Sequence, residues 1–166
     1  MSPQSKLNLI DLALYLLHNE VSTDEVSCIK FDSNPSIGLL HFDMKNYWCG
    51  TSCCAIGADM IRRGRPHPDA PADFIMMTYG IREFGSCYQN LFGPIHLHSV
   101  HAFAKRVLMH LWQELRIGLY PQGAIERQFH SKIGDCDTPK LISLLTHEQS
   151  ILQSSISGVA DSTEIA

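Results

Sequence analysis

The sequence predicts an all-α fold: a small single domain of five to six short helices joined by long connections, followed by a disordered C-terminal tail. Three observations carry that expectation. Apolar residues recur at helical spacing in several stretches, and most of these stop at Gly or Pro. No set of segments alternates apolar and polar residues as half-buried strands do. The chain has 166 residues, 45% of them apolar, which suits one hydrophobic core.

Leu7, Leu9, Ile10, Leu12, Ala13, Leu14, Leu16 and Leu17 form the first helix, with no Gly or Pro among them. Residues 21–40 turn polar and irregular. Asn34-Pro35 and Gly38 mark a loop there, and residues 27–31 are short enough for one extended piece. In "NYWCGTSCCAIGAD", residues 46–59, Thr51 or Ser52 offers a cap. Cys53, Ile56, Gly57, Met60 and Ile61 then fall on one helical face. Gly64, Pro66 and Pro68 end that helix.

Asp69 and Pro71 open a shorter helix through Phe74, Ile75 and Met77, closed by Gly80. Residues 82–92 predict another, with Phe84, Cys87, Tyr88, Leu91 and Phe92 turned inward and Gly93-Pro94 as its stop. Ser99 caps the clearest helix, whose stripe is Val100, Phe103, Ala104, Val107, Leu108, Leu111, Trp112 and Leu115. Residues 120–137 read as loose chain around the turn Pro121-Gln122-Gly123. Thr138 as cap and Pro139 at the first helical position begin a last helix with Leu141, Ile142, Leu144 and Leu145. Residues 151–166 contain no basic or aromatic residue and are rich in Ser, so a disordered tail is expected after a domain spanning residues 1–150.

Thirteen Lys and Arg against seventeen Asp and Glu leave a formal charge of -4. The one basic cluster is Arg62, Arg63 and Arg65, so general nucleic-acid binding, which needs a concentrated positive surface, is not expected. No run of about eighteen apolar residues offers a membrane span. The first twenty residues lack a basic flank and a small-residue cleavage site, which places the chain in the cytoplasm. In that compartment the six cysteines are expected to be thiols, most of them in the core.

The order of the motifs carries a resemblance. Phe42, Asp43 and Met44 precede Trp48, Cys49, Gly50, Thr51, Cys54, Gly57 and Ala58, and Tyr79-Gly80-Ile81, Leu91-Phe92 and the helix after Ser99 follow. This resembles a widespread set of small uncharacterised bacterial and phage proteins whose signature is FxM followed by CGTxxCxxG. The resemblance covers roughly residues 7–115. It implies a cytoplasmic helical protein of bacterial or phage origin, and it assigns no catalytic residue.

The motif itself admits several chemistries. As structure, Cys49 packs beneath Trp48, Gly50 supplies an unusual backbone angle, Thr51 caps the helix, Cys54 is a small core residue and Gly57 admits another helix. As an enzyme, Cys54 or Cys53 would be a nucleophile at a helix amino terminus, with His96, His98 or His101 as base. As a metal site, Cys49, Cys53 or Cys54 would join those histidines around zinc. Neither half has C-x2-C or H-x3-H spacing, so no metal and no other cofactor is expected. As a partner groove, Tyr47, Trp48 and the methionines Met60, Met76 and Met77 would adapt to a ligand. Arg62 and Arg63 would meet an acidic group or simply end a helix in solvent.

The chain lacks a phosphate loop and a dinucleotide fingerprint. The expected function is therefore that of a non-enzymatic bacterial or phage accessory protein that binds another macromolecule, a protein, with Trp48, Arg62 and Arg63 as binding residues. The alternative is a cysteine-dependent hydrolase or acyl transferase using Cys54 with His98 or His101.

Overall fold

The computed structural model describes residues 1–22, 27–32, 36–45, 47–49, 52–64, 71–94, 98–116, 122–133 and 136–164. Its first helix, α1 (Pro3–Asn19), starts where Ser2 accepts a hydrogen bond from the Ser5 backbone N–H at 3.1 Å and Pro3 takes a position that needs no donor. One stripe of α1, including Leu9, Ile10, Leu12, Ala13 and Leu16, is fully buried, because four later helices and a strand pack around it.

The expectation of an all-α chain needs correction. The described residues are mainly helical, but they include a five-stranded sheet in the order β1-β2-β3-β5-β4. Its strands are β1 (Glu20–Ser22), β2 (Ser27–Lys30), β3 (Leu39–Phe42), β4 (Trp48–Cys49) and β5 (Ser52–Cys53). Neighbours are antiparallel except β3 and β5, which run parallel with Phe42 opposite Cys53. The short extended piece expected near residues 27–31 is β2. The others escape a pattern search because strands of two to four residues complete at most two alternations. In β3, Leu40 and Phe42 point inward, yet the outward Leu39 is also apolar and hides the period.

The cysteine motif is therefore a hairpin followed by a helix. Ser52 and Cys53 are strand, and α2 (Ala55–Arg62) begins only after Cys54. Helices α3 (Pro71–Tyr79), α4 (Ser86–Phe92) and α5 (Val100–Arg116) lie close to their expected places. Ser99 caps α5, its hydroxyl accepting from the Ala102 N–H at 3.0 Å. The loose chain expected at residues 120–137 instead holds α6 (Gln122–Ile133), which buries Phe129 and Ile133 and presents Phe129 edge-on to Trp112. The cap of α7 (Thr138–Glu164) is Asp137 rather than Thr138, through the Lys140 N–H at 3.0 Å. The segment expected to be a disordered tail continues α7 as far as Glu164.

The buried residues of α1, the sheet and helices α2 to α7 form one hydrophobic cluster. Among the described residues no helix is long and apolar enough to cross a membrane.

Candidate functional site

The Tyr47 carbonyl decides how the motif folds. It accepts the Cys54 N–H at 3.2 Å, and it lies so close to Gly57 that a Cβ there would stand 1.5 Å from the oxygen. Gly57 thus admits a backbone carbonyl rather than the expected second helix. At the same turn Cys54 is the N-cap of α2, its Sγ accepting from the Gly57 N–H at 3.4 Å. The expected caps were Thr51 or Ser52. Thr51 and Gly50 lie outside the described residues, as do the side chains of Trp48 and Cys49, whose backbone forms the edge strand β4.

Holding Tyr47 at α2 also sets its ring against α4. The Tyr47 hydroxyl donates to the Glu83 carboxylate and lies 2.8 Å from the Tyr88 hydroxyl. Burial, with bonds to Glu83 and Tyr88, pushes the Tyr47 hydroxyl well above its ordinary pKa; burial raises Tyr88 as well. Beside this pair, Phe84 has φ +62°, the left-handed region that a bulky residue rarely enters, and its ring is 67% exposed. That ring meets Tyr88 edge-on, with centroids 5.4 Å apart.

Together these residues wall a cleft of about 390 Å³. Tyr47, Tyr88, Phe84 and Phe92 supply aromatic surface, Met44 and Cys54 add sulfur, and Lys45 and Gln89 supply polar groups.

Cys54 reaches this cleft but is only 4% exposed. Burial raises its thiol pKa to about 11, against the lesser pull of nearby backbone N–H groups including that of Gly57. His98 and His101 have partners other than Cys54. The His98 Nδ1 sits 3.2 Å from the Phe42 carbonyl oxygen. His101 is half-buried, and burial lowers its pKa. Among the described residues no hydrogen bond joins Cys54 to a histidine, and His96 lies outside them. Phe42 is fully buried against Cys53 across the parallel pair.

Arg62 and Arg63 are turned toward Asp59, a carboxylate with no exposure at all. The Arg62 Nε donates to Asp59 Oδ1 at 2.6 Å, the Arg63 Nε to the same oxygen at 2.9 Å, and the Tyr79 hydroxyl to Oδ2. Arg62 also donates to Asp11 at 2.7 Å and lies over the Tyr15 ring, 5.1 Å from its centroid. Asp59 holds α3 through Tyr79, and Arg62 joins Asp59 to Asp11 of α1. Sequence reasoning missed Asp59, though a lone acid inside "AIGADMIRR" with arginines at i+3 and i+4 is a visible signal.

A second cluster was also missed. His110 Nε2 is 4.0 Å from Cys87 Sγ and 3.2 Å from Glu114 Oε1. The composition is that of a cysteine, histidine and acid relay, but a relay uses opposite ring nitrogens for nucleophile and acid, and here one nitrogen serves both. Glu114 also takes Lys6 at 3.2 Å and the Met1 amino group at 3.5 Å, so the cluster fastens the start of α1 to α5.

Among the described residues no three His, Cys, Asp or Glu side chains converge as a metal site would require. Comparison with protein-family models, curated proteins and solved structures finds no match for this chain.

Proposed function

We propose that this chain is a non-enzymatic accessory protein of bacterial or phage type, acting in the cytoplasm, which binds another protein through the cleft between Tyr47 and α4. One observation carries the reading: Phe84 keeps a left-handed backbone while holding a 67% exposed ring over that cleft. A bulky residue in that region costs on the order of 1–3 kcal/mol, a cost usually retained where function uses it. An exposed ring loses further free energy to water and gains it back when a partner covers it.

In this reading Tyr47, Phe84 and Tyr88 make the contact. Trp48, next to Tyr47 in the chain, and Arg62 and Arg63 are its further binding residues. The rival reading, a hydrolase or acyl transferase built on Cys54 with His98 or His101, is weakened by the burial of Cys54, by its raised pKa and by the histidines' other placements. A thiol that ionises near pH 11 is almost wholly protonated at pH 7 and is a poor nucleophile.

A photo-activated benzophenone amino acid at position 84, compared with the same group at the exposed Leu39, tests the binding reading in cells that make the protein. A discrete protein cross-link from position 84 and none from position 39 is the expected result. Equal patterns from both sites would remove the cleft as the contact. Rapid alkylation of Cys54 below pH 8 would turn the assignment toward the enzyme.

A further inference from the structure

The cleft beside Tyr47 is apolar over most of its lining. Met44, Cys54, Tyr88 and Phe92 are each less than a tenth exposed, while the Phe84 ring at the same cleft is 67% exposed. A volume of about 390 Å³ lies in the range of sites that enclose a small ligand, so a large apolar side chain and part of its neighbour have room. Covering these rings removes apolar surface from water, which favours an apolar occupant.

Among the described residues that line the cleft, one side chain is charged, and it is Lys45. It is exposed, and no carboxylate lies within ion-pair distance of its ammonium among the described residues. Its backbone is held, because the Lys45 N–H donates to the Asp43 Oδ1 at 3.0 Å, the two-residue step by which an aspartate closes a turn. Two carboxylates stand near without lining the cleft: Asp43 holds that turn, and Glu83 accepts from the Tyr47 hydroxyl.

Two features therefore select the occupant, an apolar surface and a single positive charge. A cation would meet a like charge. A nucleic-acid backbone draws its affinity from several cations together, and the described lining offers one. One carboxylate beside an apolar group is the matched chemistry, and a protein carries it wherever Asp or Glu neighbours a large apolar residue.

We propose that the cleft receives a segment of the partner protein in which a large apolar side chain, seated against Phe84 and Tyr88, is flanked by an Asp or Glu whose carboxylate pairs with the Lys45 ammonium. This rests on the protein-binding reading above and gives it a charge sign. The ring contact supplies affinity and the ion pair supplies selectivity, because an exposed pair contributes little by itself.

The probe is the capped tripeptide Ac-Asp-Leu-Asp-amide, titrated to millimolar concentration against the whole protein while the ring resonances of Phe84 and Tyr88 are followed. Acid on both sides offers Lys45 a carboxylate in either chain direction. Matching peptides replace both acids by Asn or by Lys, or the leucine by Ala. The acidic peptide should shift the resonances saturably, the Asn peptide should bind about threefold more weakly, and the Lys and Ala peptides should not saturate. Lys45→Gln should bring the acidic peptide down to the affinity of the Asn peptide and leave the Asn peptide unchanged. Lys45→Glu should reverse the order, so that the Lys peptide binds more tightly than the acidic one. Both substitutions fall at an exposed residue with little bearing on folding. Salt at about 0.5 M should shrink the preference for acid and spare the binding of the Asn peptide.

No saturation by the acidic peptide, equal binding of the acidic and Asn peptides, or an order that Lys45→Glu leaves unreversed would each overturn the inference. Saturation by hexanoate without saturation by the acidic peptide would also overturn it, and would give the site to a small apolar acid. If the position 84 cross-link forms while acid has no effect, only the acidic assignment falls. If no peptide saturates and no cross-link forms, the protein-binding reading falls with it.

Discussion

A methyl group at position 57 would stand 1.5 Å from the Tyr47 carbonyl oxygen and 3.3 Å from the Cys53 Cβ. The first distance is far inside contact, and the obstructing atom is backbone, so either Tyr47 or α2 must move. Gly57→Ala should therefore lower stability by about 3 kcal/mol, well beyond the ordinary cost of overpacking at its low end, as read from a denaturant midpoint. It should also disturb the Tyr47 and Tyr88 hydroxyl contact, because the same carbonyl positions that ring. A shift of less than about 0.5 kcal/mol would mean that the carbonyl does not press on α2. At Cys54 the expected outcome is chemical silence. With its pKa near 11, about one thiol in ten thousand is ionised at pH 7. Among the five cysteines whose side chains are described, Cys87 alone is half-buried rather than buried. Timed iodoacetamide labelling with mass spectrometry should find Cys87 modified first of these five and Cys54 modified only as the protein unfolds.

Between elements, Asp59 carries the largest single tie. It accepts from Arg62 of its own helix, from Arg63 at that helix's C-cap and from Tyr79 of α3, while Arg62 passes the connection to Asp11 of α1. Asp59→Asn leaves two guanidiniums without their shared charge and should cost about 3 kcal/mol, the low end for breaking a buried pair because Arg63 is partly exposed; thermal unfolding measures it. At the other end of the chain, Leu152 packs against the core while Ile151 is 51% exposed. Leu152→Ala should cost about 1 kcal/mol and Ile151→Ala less than about 0.5 kcal/mol. A reversed order would mean that α7 turns another face to α1.

The helices legible in the sequence were those with a broad apolar stripe and a Gly or Pro stop, such as α3 and α5. Helix α6 was hidden because few of its positions are apolar and its anchors, Phe129 and Ile133, cannot form a repeating stripe alone. The strands were hidden by their shortness. At the site, Tyr47 and Tyr88 stood in view as residues, but their meeting depends on Gly57 accepting a carbonyl, which no local spacing encodes. Arg62 and Arg63 were visible as charges, and only Asp59's burial in the fold shows what holds them.

For the molecule as a whole, the buried acids of high pKa set a limit on the alkaline side. Burial raises the Cys54 thiol from 9.0 to about 11, and burial with the Asp59 charge and hydrogen bond raises Tyr79 well above 10.0. In the unfolded chain these groups lose their protons near their ordinary values, while in the folded chain they keep them. Between the two values the unfolded state binds fewer protons, so stability falls as pH rises, by up to about 1.4 kcal/mol per pH unit for each such group. Cys54 opens this window near pH 9 and Tyr79 adds to it from near pH 10. Cys54 alone should remove between about 2 and 3 kcal/mol by pH 11. Urea unfolding at successive pH values should give a curve that bends downward above pH 9. In Cys54→Ser, whose hydroxyl does not titrate in this range, the fall between about pH 9 and 10 should be shallower, the remainder coming from Cys87, whose pKa burial also raises. Constant stability from pH 9 to 11 in the native protein would mean that Cys54 and Tyr79 meet solvent, and would reopen Cys54 as a reactive group in the cleft.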